Sequence, residues 1–159
     1  SFLKNSLMTD STTLQIRFKR TTTNTDCTPT KSHTSDAGWD FYAAEAKNVP
    51  PLATCKVSLG VKCAIPNGYC ILFAERSGLA ANHSIRIGGG LIDAGYRGEF
   101  QAIVQNLDQH REFVIKEGMK IVQGLVLPVP VVQFVDVGEQ ELDITDRGTA
   151  GFGSTGVTK

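Results

Sequence analysis

The chain has no long apolar run. Nothing in its 159 residues approaches the roughly 20 consecutive apolar positions that a membrane-spanning helix requires. Ser1 to Asp10 also lack the apolar core of a secretory signal, and Met8 is a candidate natural start that would make Ser1 to Leu7 an added leader. Net charge is missing too: 16 basic and 16 acidic residues cancel. No global field is therefore available to hold a long nucleic acid, and an anionic ligand must be met by local arginines and backbone amides. Cysteine is sparse, and Cys27, Cys55, Cys63 and Cys70 contain no C-x-x-C pair. That excludes the usual zinc and redox spacings and points to buried free thiols in a reducing, intracellular compartment, cytoplasm or nucleus. His33, His83 and His110 stand singly in polar surroundings, as surface histidines rather than a metal set. No stretch sustains a 3.6-residue apolar period, and there are no internal repeats.

What the chain does have is strand pattern, in a length that suits one domain with a real core. Leu14, Ile16 and Phe18 alternate with Gln15, Arg17 and Lys19, predicting a half-buried strand over 14–20. Cys55, Val57, Leu59, Val61, Cys63 and Ile65 hold one parity, predicting a single strand over 55–65. If that strand is straight, Cys55 and Cys63 lie roughly 26 Å apart and cannot bridge. Tyr69 to Ala74 is short and continuously apolar, a strand covered on both faces, and Arg76 to Asn82 is the one plausible helical piece. Glu99 to Asn106, Arg111 to Lys116 and Lys120 to Val137 read as further strands, the last interrupted by Pro128 and Pro130, which cannot donate to a ladder. Short strands spaced by Gly, Pro and Asn turns predict an all-β sandwich or barrel. Residues 1–12 read as a flexible N-terminus, 13–141 as the β domain, and 142–159 as a mobile glycine-rich tail.

Five stretches carry chemistry. In the first, Asp36-Ala37-Gly38-Trp39-Asp40-Phe41, the Asp40 carboxylate stands between two aromatics, where an unpaired charge is costly. It must find an arginine, as a structural ion pair or an ordered site, or else face a solvated metal. The second, Glu75-Arg76-Ser77-Gly78-Leu79-Ala80, puts a hydroxyl, amides and a guanidinium fork at the start of a short helix, donors suited to an anion; an ordinary helix cap looks the same. The third runs from Gly88 to Glu99: Leu91 and Ile92 lead into a turn containing Asp93, Ala94, Gly95 and Tyr96, and Phe100 to Val104 return as the second arm of a hairpin. Three successive glycines suggest a backbone lying close to something. Asp93, Tyr96 and Arg97 then fall within five residues, although Asp and Gly also serve ordinary turns. The fourth is Glu117 to Gln123, by itself a plain strand. The fifth, Arg147 to Gly156, contains G-x-G-x-x-G, but the three residues that follow leave no room for the helix of a dinucleotide fold. Its glycines with Ser154 and Thr155 can instead wrap a polyphosphate.

Taken in order, these stretches resemble the five motifs of the trimeric dUTPases, the deoxyuridine triphosphate nucleotidohydrolases, over roughly Asp36 to Gly156. The resemblance implies an all-β, jelly-roll-like subunit in a homotrimer, hydrolysing dUTP to dUMP and pyrophosphate with Mg²⁺ on the triphosphate. It implies Asp93 as general base, and uracil read by main-chain groups around Gly90, Ile92 and Gln101. Tyr96 would press on the sugar and exclude a 2′-hydroxyl. Arg76, Ser77, Gly78, Gln123 and Arg147 would meet the phosphates, while Phe152, Gly153, Ser154 and Thr155 close a lid. Asp40 would order the arginine and a water on the metal, with no direct protein ligand to Mg²⁺. The chain departs from the family at Glu75 (commonly Pro or Gly), Ile87 (often Asn) and Lys120 (commonly Arg). A dCTP deaminase of the same fold and a dUTP-responsive regulatory module are the alternative readings. No nucleic-acid or membrane partner is implied.

Overall fold

The computed structural model describes residues 13–152. Eleven strands and one short α-helix are described among these residues: β1 Arg17–Arg20, β2 Trp39–Tyr42, β3 Lys47–Val49, β4 Thr54–Ser58, β5 Val61–Ala64, β6 Tyr69–Ala74, α1 Ser77–His83, β7 Ile85–Gly88, β8 Leu91–Ile92, β9 Gln101–Asn106, β10 Phe113–Ile115 and β11 Lys120–Pro128. All the strand pairs are antiparallel, in sheets ordered β2-β11-β6-β8, β4-β9-β7, β1-β5 and β10-β3. The all-β class follows from the sequence pattern as expected.

The core forms where the inward faces of these sheets meet. Phe41 from β2, Phe73 from β6 and Phe100 before β9 meet with ring centroids 5.1, 6.1 and 5.9 Å apart, edge-on or tilted as ring quadrupoles prefer. Gly124 lies against Phe41, Ile71 and Phe73, with no space for a Cβ. Asn106 is the single buried polar side chain among the described residues. It donates to the carbonyls of Val49 and Arg111 at 3.0 and 2.9 Å and accepts from the Asp108 amide at 3.0 Å, so its burial is fully compensated.

Several sequence expectations need correcting. The strand over 55–65 is two strands, β4 and β5, in different sheets. The chain turns a corner at Gly60, whose φ of +63° suits glycine, and a Cβ there would meet Cys27, Ala44 and Thr22. The straight-strand separation of Cys55 and Cys63 therefore lapses, although all four cysteines are free and all but Cys55 are buried. The expected hairpin is also re-paired. β9 pairs with β4 and β7, whereas β8 leaves that sheet to pair with β6. β1 is shorter than expected and exposed along its length, because it is paired only with β5. β6 leaves Leu72 partly open. The final strand stops at Pro128, short of the expected Val137. The Val129 amide still donates to the Gly68 carbonyl at 2.8 Å, and Pro130 beyond it has no N–H to give.

Beyond β11 the chain runs exposed. Val131, Phe134, Ile144 and Phe152 are each at least 98% accessible, and between them lies one 3₁₀ turn, Glu139–Glu141. This arm does not fold back onto its own subunit.

Candidate functional site

Strand register assembles the groove. Gln123 of β11 stands opposite Asp40 of β2 on one side and Ala74 of β6 on the other, and directly opposed residues share a face. Glu75 and Arg76 follow at the open end of β6, and α1 begins with Ser77. Arg76 occupies the capping position, and its side chain makes no cap hydrogen bond. It turns instead to Asp40: Nε lies 3.2 Å from Oδ1, and a terminal nitrogen donates to the Lys120 carbonyl at 3.3 Å. Lys120 Nζ takes the other Asp40 oxygen at 2.9 Å. The two cations explain how a carboxylate only 14% exposed is tolerated. Asp40 in turn raises the Lys120 pKa above its ordinary value, chiefly by accepting its hydrogen bond, so the lysine stays charged.

Gln123 is oriented by a bond from Nε2 to the Glu75 carbonyl, 2.8 Å long. Its amide oxygen faces Gly38, where a Cβ would come within 2.5 Å, which is why the first motif has glycine there. Together Asp36, Gly38, Asp40, Arg76, Ser77, Gly78 and Gln123 line a polar groove of about 520 Å³. Asn82 and His83 at the far end of α1 also line it; neither was singled out by sequence as a site residue, since only the helix axis brings them to the groove. A larger apolar share lines a second cavity of about 420 Å³ between Ile16, Phe18, Phe41 and Ile71, away from these polar groups.

The glycine-rich turn is a separate half. Gly89 has φ +55°, and a Cβ on Gly90 would lie 2.6 Å from the Phe73 carbonyl oxygen. Two of the three glycines thus let β7 cross to β6, where the Phe73 amide donates to the Gly90 carbonyl at 2.8 Å. Ile92 pairs opposite Ile71, and Asp93 projects exposed at the next position, its side chain bonded to no other described residue. Tyr96 stacks near-parallel on Phe100, centroids 6.3 Å apart, and its hydroxyl donates to the Glu99 carbonyl at 3.0 Å. The ring lies over Gly98, where a Cβ would strike it. Glu99 is itself engaged by the hydroxyls of Ser58 and Thr21. Gln101 opens β9, exposed and paired with Ser58.

These halves do not meet within one chain. β8 and β6 are antiparallel with Ile92 beside Ile71, so Asp93 falls level with Cys70 while Arg76 lies past the other end of β6. At about 3.3 Å per residue the two are separated by roughly 15–20 Å. Arg147, whose Nε donates to the Ala150 carbonyl at 2.9 Å, and Phe152 lie on the exposed arm, apart from both halves. Gly153, Ser154 and Thr155 lie outside the described residues. Among the described residues no group of three or more His, Cys, Asp or Glu is placed to hold a metal ion, and no helix is long and apolar enough to cross a membrane.

Fold and groove together define a class: an all-β protein with a polar, cation-bearing groove and a detached, acid-bearing turn. The dUTPase family model matches residues 25–156. The chain is 41% identical over 153 residues to the deoxyuridine 5′-triphosphate nucleotidohydrolase of Leifsonia xyli, covering 95% of each protein. Its fold is similar to a point mutant of the Staphylococcus bacteriophage 80alpha dUTPase with dUpNHpp, at a TM-score of 0.81 and 27% identity, covering 91% of this chain and 100% of that one. A mutant dUTPase from phage phi11 of S. aureus, whose structure details the coordination of a structural Mg(II) ion, matches at 0.74 and 25%, covering 81% and 100%. The chain belongs to the dUTPase family.

Proposed function

We propose that the protein hydrolyses dUTP to dUMP and pyrophosphate. The observation that carries this reading is the register row Asp40, Gln123, Ala74, which delivers Arg76 and an oriented amide to one groove. The Arg76 fork, the Ser77 hydroxyl, the Gly78 backbone and the remaining Gln123 N–H hold the phosphates. Asp93 accepts a proton from a water, which attacks the α-phosphorus; the bond from that phosphorus to the bridging oxygen breaks and pyrophosphate leaves. Main-chain groups of Gly90, Ile92 and Gln101 read uracil, and Tyr96, clamped between Phe100 and the Glu99 carbonyl, leaves no room for a 2′-hydroxyl. Arg147 clamps the terminal phosphate, and Phe152 with Gly153, Ser154 and Thr155 covers the nucleotide.

Because Asp93 and Arg76 lie at opposite ends of β6 and the arm leaves its own subunit, each site draws on neighbouring copies in a homotrimer. The apolar residues of that arm are ones a lone soluble chain does not leave bare. The carboxylates of Asp36 and Asp40 are hard oxygen donors that suit Mg²⁺. With both Asp40 oxygens engaged by Arg76 and Lys120, that residue would hold a Mg²⁺ ion only through water, and the ion would supply positive charge against the triphosphate. The buried free thiols support a reducing, intracellular setting.

Pyrophosphate release measured across dUTP, dTTP, dCTP and UTP tests the reading. The expected result is hydrolysis of dUTP, with the others at least about a hundredfold slower in kcat/KM. Equal rates on UTP, or ammonia released from dCTP, would overturn it. A deaminase is disfavoured because Glu99, the one extra acid near the turn, already accepts two hydroxyl hydrogen bonds.

A further inference from the structure

Glu75 puts a carboxylate one residue from Arg76, beside a groove meant for a polyanion. Its own side chain is not part of the groove lining. It turns the other way, with Oε1 2.6 Å from Arg86 Nε on β7. The Glu75 carbonyl meanwhile holds Gln123, so this residue's orientation bears on the groove twice.

We propose that Arg86 is a positioning residue for the triphosphate: it pins the Glu75 carboxylate against β7 and cancels its field, leaving the groove attractive to phosphate. A proton cannot do the same work. Hydrogen bonding from its own backbone amide, helped by the Arg86 charge, holds the Glu75 carboxyl below its usual range despite some burial. The carboxyl is therefore ionised at neutral pH, where a neighbouring cation such as Arg86 is what offsets its charge. The asymmetry is the signature. Removing Arg86 leaves a bare negative charge next to the substrate phosphates, whereas removing both partners leaves none.

The inference rests on the triphosphate lying in this groove, so R76A is measured alongside. Steady-state kinetics on dUTP with Mg²⁺ are compared at low and high ionic strength for the wild type, R86A, R86K, E75Q/R86A and R76A. R86A is expected to raise KM about fivefold at low salt, the effect shrinking as the screening length falls, with kcat within about twofold. R86K and E75Q/R86A should return KM to within about twofold of wild type. An unchanged KM in R86A, or a double variant as impaired as R86A, overturns the inference while R76A still raises KM. An R76A with unaltered KM removes the groove reading and this inference with it. Should R86A fail to fold, R86Q against E75Q/R86Q makes the same comparison.

Discussion

Replacing Gly90 with alanine tests the fold and the site at one atom. The added Cβ would lie 2.6 Å from the Phe73 carbonyl oxygen and 3.1 Å from its Cβ. Carbon and carbonyl oxygen ordinarily approach no nearer than roughly 3.3 Å, so the backbones of β6 and the turn must part by more than half an ångström. The obstacle is main chain, which cannot rotate aside. Forced insertion of this kind costs about 1–3 kcal/mol, and the Phe73 amide bond to the Gly90 carbonyl, made across the same gap, is worth about 1 kcal/mol more. A loss of about 2–4 kcal/mol corresponds, for a chain of this size, to roughly 5–15 °C in melting temperature. Gly90 is not in the positive-φ region, so the penalty is steric alone. The control is Gly95→Ala in the same turn, where the added atom meets nothing within 4 Å and stability should change by no more than about 0.5 kcal/mol. Both variants are melted at matched protein concentration and assayed for KM on dUTP. Equal melting temperatures for the two, or an unaltered KM in Gly90→Ala, would refute the close-approach account of the glycine triplet.

Asp93→Asn should keep nucleotide binding within a few-fold while turnover falls about 10²–10⁴-fold; near-wild-type turnover removes Asp93 as the base. Deletion from Gly151 onward should collapse hydrolysis while gel filtration still shows the assembly, and retained activity would remove the lid. Asp108 predicts an acid limb. Its carboxyl is held down to about 2 from 3.8, chiefly by the His110 amide, then by the Arg111 amide and side chain. A depressed acid contributes stability that is complete above its unfolded value and lost as pH falls through the folded one. Asp108→Asn should therefore flatten the stability profile between pH 3.8 and about 2; a profile identical to wild type would contradict this.

The strands were legible where burial is simple. β6 announces itself by an unbroken apolar run between turn residues, and α1 lies within one residue of its expected span. The corner at Gly60 was invisible for a physical reason. Val57, Leu59 and Val61 are all fully buried, so the inward parity passes through the change of sheet without a break, and alternation records which side faces the core but not which partner lies alongside. The same limit re-paired the hairpin, since two-residue β8 carries too little pattern to name its neighbour. At the site, the cost of an unpaired Asp40 demanded a cation. That Lys120 would supply a second one depends on the register shift between Lys120 and Val122 in β11, which no spacing rule reveals. Asn82, His83 and Arg86 reach the groove or its border only through the placement of α1 and β7.

The 15–20 Å between the acid-bearing turn and the arginine groove has a genetic consequence. If a working centre borrows its base from one copy and its phosphate grip from another, two separately impaired variants, D93N and R76A, need not stay impaired together. Co-refolded in equal amounts, they would regenerate roughly one intact centre in four by random assortment around a cyclic assembly, whereas a self-contained subunit would regenerate none.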